Sequence, residues 1–246
     1  VKEYLFQDAR INCYIQQKGA SVFELDYLPK DWNYLDCGSC GCAKDRRTAF
    51  ADVLSPVQTD FKNGFPQGSR LCFNEQFEEV LQDRKGKSSF KLPVSGADIP
   101  YGGIELEKCY LLKKDVLSVN YVLKNSGEAP ENFTLVTEID FSFAGSGEEF
   151  ARFYTTDPEG KDVAAEVVLN NAESLKTEGL KAEGFKILDI NNEVQLLLGS
   201  AKPFSGCLLS AVEGGYYQAN RILMQFAISL EIGESWTNEF SLKFSH

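Results

Sequence analysis

Strict period-2 alternation, repeated in several long runs, constrains this chain more than any other feature. Across residues 133–143, Phe133, Leu135, Ile139, Phe141 and Phe143 share one side, opposite Asn132, Thr134, Glu138, Asp140 and Ser142. Successive strand side chains point to opposite faces, so this spacing predicts a long strand with one buried face. Ile222, Met224, Phe226, Ile228, Leu230 and Ile232 repeat it opposite Arg221, Gln225, Ser229 and Glu231. Trp236, Phe240, Leu242 and Phe244 do so again opposite Thr237, Glu239, Ser241 and Lys243. Gly233-Glu234 joins the last two runs and suits a hairpin.

Further strands are predicted over residues 10–17, 21–27, 88–94, 104–112, 117–123, 163–169, 185–189, 194–198 and 205–212. Turn chemistry separates many of them: Lys18-Gly19, Asn125-Ser126-Gly127, Gly145-Ser146-Gly147 and Asp157-Pro158-Glu159-Gly160. Long loops are expected at 37–47 and 145–160. One segment stays open between helix and strand. Phe77, Val80, Leu81 and Arg84 follow helical spacing behind a potential Asn74 cap. Roughly a dozen strands with almost no helical periodicity predict an all-β, large antiparallel β-sandwich with at most one short helix. The 246 residues then form one domain.

Hydrophobic residues make up 43% of the chain, enough for a sizeable core. The formal charge is −11, and no Lys/Arg stripe opposes it. A nucleic-acid partner is therefore excluded. No apolar run approaches the about 20 residues of a spanning helix, so no membrane partner is expected. Residues 1–4 lack the basic and apolar regions of a secretory signal. Cys13, Cys72, Cys109 and Cys207 sit in apolar contexts and read as buried free thiols. Together these place the protein in the reducing cytoplasm. The chain does not begin with Met, which fits a fragment or a processed product.

The single histidine is His246, the last residue. A nucleophilic Ser-His or Cys-His site has no base to use, and His-ligated zinc is excluded. Cys37-Gly38-Ser39-Cys40-Gly41-Cys42 clusters three thiols. A soft metal, redox chemistry and a Gly-rich loop with bystander thiols are all open there, but no fourth ligand completes a tetrahedral site. No metal and no cofactor are expected. Glu105 with Glu107, and Glu138 with Asp140, are carboxylate pairs at i, i+2 on strand faces. Paired acids serve glycoside chemistry, but the plain alternative is a strand's solvated side. Trp32, Tyr34, Tyr101, Tyr216, Tyr217 and Trp236 offer platforms for sugar rings or fill the core. Asn132-Phe133-Thr134 matches a glycosylation sequon by coincidence, inside a strand.

Several segments in order resemble the C-terminal domain of family-57 glycoside hydrolases, the 4-α-glucanotransferase and amylase group. They are Gly19-Ala20-Ser21-Val22-Phe23-Glu24-Leu25-Asp26-Tyr27, Arg47-Thr48-Ala49-Phe50-Ala51-Asp52-Val53-Leu54, Ile104-Glu105-Leu106-Glu107-Lys108-Cys109-Tyr110, Thr137-Glu138-Ile139-Asp140 and Gly233-Glu234-Ser235-Trp236. The resemblance implies a galactose-mutarotase-like sandwich. It also implies a role beside an N-terminal catalytic barrel of the same parent chain, touching α-glucan or an oligosaccharide. Arg47 and Asp52 are the positions that match the family's motif, with a core or surface salt bridge as the plain alternative, whereas Val53 stands where the family has histidine. The resulting expectation is a non-catalytic module with carbohydrate contacts at Arg47, Asp52, Glu105, Glu138, Asp140, Trp32 and Tyr101. The alternatives are a sugar-modifying, aldose-epimerase-like enzyme that uses carboxylates such as Glu138, and a protein-interaction sandwich.

Overall fold

The structure is a computed structural model that describes residues 2–35, 48–56, 65–82, 87–92, 100–145, 147–156, 162–165, 182–213 and 216–245. Its strands are β1 (Glu3–Gln7), β2 (Ile11–Gln16), β3 (Ser21–Tyr27), β4 (Trp32–Asn33), β5 (Ala49–Ser55), β6 (Glu78–Gln82), β7 (Lys87–Leu92) and β8 (Ile104–Lys113). They continue with β9 (Val116–Asn125), β10 (Glu131–Phe141), β11 (Ala151–Thr156), β12 (Asp162–Ala165), β13 (Ala182–Asp189), β14 (Val194–Glu213), β15 (Tyr216–Leu230) and β16 (Ser235–Ser245). All pairings among them are antiparallel. The strands follow the order β1-β2-β3-β5-β10-β15-β14-β16-β9-β8-β7-β6, with β11 to β13 as a flank on β14.

This one sheet curls back on itself because β14 belongs to both halves. Its residues Gln195 to Ser200 pair with β16, and Ser205 to Glu213 pair with β15. The two expected strands 194–198 and 205–212 are therefore a single strand that turns the corner. The apolar faces of the two halves meet in one core. Phe240 of β16 lies edge-on to Tyr121 of β9 (ring centroids 4.9 Å apart) and to Phe226 of β15 (5.8 Å). Tyr27 of β3 stacks on Phe244 at 5.0 Å.

The alternation reads burial but not partner. Gly233-Glu234 was expected to close a hairpin, yet β15 pairs with β10 and β14, while β16 pairs with β14 and β9. The connection instead carries the chain across the sandwich, with Gly233 at φ 79°. The described part of segment 74–84 is the end of a 3₁₀ turn, Cys72–Asn74, followed by β6; residues 83 and 84 lie outside the described residues. Phe77 is buried while Val80 and Leu81 are exposed, so the helical stripe never forms a buried face. β5 was missed because it is buried along its whole length and so lacks alternation. β11 lies within the expected 145–160 loop. Of the expected strand 163–169, β12 covers the described part. Segment 37–47 lies outside the described residues. Cys13 and Cys72 are free and buried, and burial pushes the Cys72 thiol up to about 12. Cys109 is also free but only half-buried.

Inside the core sits a fully buried ion pair, Asp52 of β5 with Lys108 of β8, both 0% exposed. The Asp52 carboxylate also accepts from Thr137 Oγ1 of β10 (2.8 Å) and Tyr121 OH of β9 (3.2 Å). The Lys108 ammonium donates to the carbonyls of Phe50 (2.7 Å) and Gly19 (3.0 Å). A bulge makes this possible. Glu138 faces Ala51 and Ile139 faces Ala49, so Phe50 is the extra residue, at φ 61°. An unpaired bulge residue leaves its backbone groups free for other partners. Gly19, at φ 73°, is needed because a Cβ there would approach the Phe73 carbonyl oxygen to 2.7 Å.

Two predictions follow from this core. Phe240→Ala removes a ring that contacts both halves and should cost about 3–5 kcal/mol in denaturant unfolding. Lys108→Met strands a buried carboxylate and should cost about 3–5 kcal/mol, with partial recovery in the Lys108→Met/Asp52→Leu double variant. Burial already pushes the Asp52 carboxyl up, against the pull of Lys108. In Lys108→Met the strongest opposition to burial is gone and only the Thr137 and Tyr121 hydrogen bonds remain, so the native state holds a proton that the unfolded chain releases at about pH 3.9. The variant's stability should therefore fall as pH rises from about 4 to 7. A pH-independent deficit, read from unfolding midpoints, would contradict this.

Candidate functional site

Along β10, Phe133, Leu135, Thr137, Ile139 and Phe141 point into the core. Thr134, Val136, Glu138 and Asp140 therefore point to the opposite face of the sheet. Register sets their neighbours. Asp140 stands opposite Arg221, Glu138 opposite Leu223, and Val136 opposite Gln225 on β15. On the other side Glu138 faces Ala51 and Val136 faces Val53 of β5. This face was expected to be solvated, but it is covered: Thr134, Val136 and Asp140 are all buried. Phe65, Leu71 and Phe73 pack over Val53, Val136 and Leu223 as a small second apolar cluster.

At the margin of that cluster lies a charged triad. Arg221 Nε donates to Asp140 Oδ1 at 2.8 Å, and Nη2 donates to Oδ2 at 3.0 Å. The same Nη2 lies 3.2 Å from Glu138 Oε1. The Asp140 side chain is only 1% exposed, whereas Glu138 keeps 19% and Arg221 33%. A bidentate carboxylate pair fixes a guanidinium in plane. The buried Asp140 thus anchors Arg221, and Arg221 holds the partly exposed Glu138 carboxylate. The arrangement offers a positioned carboxylate, a permanent cation and an adjoining apolar wall.

Of the six sequence-predicted contacts among the described residues, the structure brings together Glu138 and Asp140. Asp52 lies on the other side of the sheet, inside the core. Glu105, on the outer face of β8, pairs with Lys91, and neighbouring Glu107 accepts from Ser89, as a strand's polar side would. Trp32 packs against the core and donates Nε1 to the Ser142 carbonyl at 3.1 Å. Tyr101, at φ 57°, packs its ring 5.5 Å from Phe133. Arg47 and Cys37, Cys40 and Cys42 lie outside the described residues. Among the described residues no group of His, Cys, Asp and Glu could hold a metal ion, and no helix is long and apolar enough to cross a membrane. The sequence did place Arg221 on a polar strand side, but only the register could pair it with Asp140.

No protein-family model matches this chain, and no curated protein matches it in sequence. Solved structures do match its shape. A galactose mutarotase-like protein from Lactobacillus casei superposes with TM-score 0.71 at 9% identity, over 99% of this chain and 100% of that one. A putative aldose 1-epimerase from Escherichia coli K12 gives 0.67 at 12% identity, over 99% of both chains. The 4-α-glucanotransferase of Thermococcus litoralis gives 0.65 at 15% identity; 99% of this chain covers 37% of that one.

These matches correct the expectation of a non-catalytic module beside a barrel. Whole mutarotase-like proteins have this architecture from end to end, so the sandwich needs no barrel to complete it. At such identities the likeness carries the architecture alone. This chain has the galactose-mutarotase-like fold, a curled antiparallel β-sandwich.

Proposed function

We propose that this protein binds a reducing sugar on the β5–β10–β15 face and interconverts its anomers, using Glu138 for proton transfer. The carrying observation is the partly open Glu138 carboxylate, held 3.2 Å from an Arg221 that buried Asp140 locks in place. Anomer exchange needs no redox partner. A base takes the proton from the C1 hydroxyl, the C1–O5 bond breaks, and C1 becomes an aldehyde while O5 gains a proton. Rotation about the bond to C1 and reclosure then reverse each transfer. Glu138 takes the C1 hydroxyl proton and returns it on reclosure, while water exchanges the proton at O5. Arg221 stays protonated and stabilises the charge that develops on the ring oxygen. Phe65 and Phe73, half-exposed above buried Leu223 and Val136, offer apolar surface to the C–H faces of the ring.

No histidine lies among the described residues, so a carboxylate takes the proton-transfer role. The fold shared with the Escherichia coli putative aldose 1-epimerase supports this reading by analogy only. A common origin with the family-57 C-terminal domain also belongs to the proposal. The ordered sequence motifs and the Thermococcus litoralis match support it.

Polarimetry of freshly dissolved α-glucose and α-galactose tests the reaction. The protein should exceed the spontaneous rate, and Glu138→Gln should lose about 10²-fold or more of that excess. No acceleration of either sugar, or full acceleration in a folded Glu138→Gln, would overturn the assignment.

A further inference from the structure

A hollow lies at the edge of the same strands, where β14 turns from one half of the sheet to the other; Gln225, Ala227 and Ser205 line it from the triad's side and Phe204, Phe226 and Trp236 from the core side. It is a cleft of about 360 Å³ lined by Lys202, Pro203, Phe204, Ser205, Gln225, Phe226, Ala227 and Trp236. Gln225 and Ala227 share the strand parity of Arg221 and Leu223, and Ser205 stands opposite Gln225. At about 3.4 Å per residue and about 4.8 Å per strand, Gln225 and Ser205 lie roughly 8–12 Å from Glu138. That is one sugar unit beyond the charged triad.

The lining is amphipathic in the manner that a sugar ring needs. Trp236 packs edge-on to Phe226 at 5.4 Å, and Phe204 lies 6.0 Å from Phe226. The Lys202 ammonium sits 5.8 Å from the Trp236 ring centroid. Aromatic carbon thus stands beside an ammonium, the Gln225 amide and the Ser205 hydroxyl, a mix of apolar wall and a few oriented polar groups that suits small polar ligands.

We propose that this cleft is a second saccharide subsite, so that the preferred substrate is a reducing disaccharide or longer oligosaccharide. This rests on the reading of Glu138 and Arg221 as the anomer-exchange site. The chemistry then fixes the orientation. Ring opening requires a free anomeric hydroxyl on the unit at Glu138. The unit in the cleft is therefore the non-reducing neighbour, linked through another hydroxyl of the first ring.

Isothermal titration with glucose, maltose, cellobiose, lactose and methyl maltoside tests this. Methyl maltoside cannot ring-open, so it reports binding alone. At least one disaccharide should bind about tenfold more tightly than glucose. Ala227→Trp, which fills the cleft from an exposed position, should reduce that affinity to the level of glucose, and Trp236→Leu should weaken it. Equal affinity for mono- and disaccharides, or a disaccharide gain that survives Ala227→Trp, would overturn the subsite. A gain lost in Ala227→Trp without any anomer exchange would keep the subsite and remove the reaction. Anomer exchange of glucose without any disaccharide gain would do the reverse.

Discussion

The Asp52–Lys108 pair ties the two halves of the sandwich at one buried point, and the placement of the charged triad follows from it. Asp52 faces inward to meet Lys108, and its partner across the ladder, Thr137, faces inward to donate to it. Strand side chains alternate, so fixing Thr137 inward sends Val136, Glu138 and Asp140 to the other face. A one-residue slip of β10 would bury Glu138 against apolar core and expose Ile139. The cost of an unpaired buried charge therefore specifies the register, whatever the net contribution of the pair to stability. The Phe50 bulge is part of the same device, because it supplies a carbonyl to Lys108 while letting β5 keep its pairing with β10.

On the outer side, cover matters as much as charge. A carboxylate pair on a solvated strand would be screened and unremarkable. Here Phe65, Leu71 and Phe73 exclude water from one flank, and Asp140 is buried beneath Arg221. Charge–charge interactions strengthen where water is excluded. The result is a site with two unlike acids: Asp140 buried as an anchor, and Glu138 partly exposed beside the Arg221 guanidinium. In the proposed reaction this difference gives Asp140 the positioning role and Glu138 the chemical one. The same two acids on a bare strand would not be so distinguished.

Much of the fold was legible in the chain. The runs at 133–143, 222–232 and 236–244 correspond to β10, β15 and β16, because half-buried strands write their burial directly as alternation. Three kinds of feature left no such mark. β5 is covered on both faces, so its pattern is flat. β14 crosses between the two halves of the sheet, and alternation does not report a change of partner. The 231–234 connection looks like a hairpin locally and joins strands that do not pair. The site was half legible for the same reason: Glu138 and Asp140 stood out as an i, i+2 pair, but Arg221 lies 81 residues from Asp140 in sequence. Asp52 matched a family position yet serves the core, since a motif fixes the residue type and not the side of the strand it occupies.

A crystal structure with a reducing sugar soaked in would test the account most directly. The sugar should lie with its anomeric hydroxyl within hydrogen-bond reach of Glu138 and its ring oxygen toward Arg221, against Phe65 and Phe73. A sugar seated only elsewhere, such as the hollow beside Gly184 and Gly199 on the outer face of β13 and β14, with the triad untouched, would contradict it.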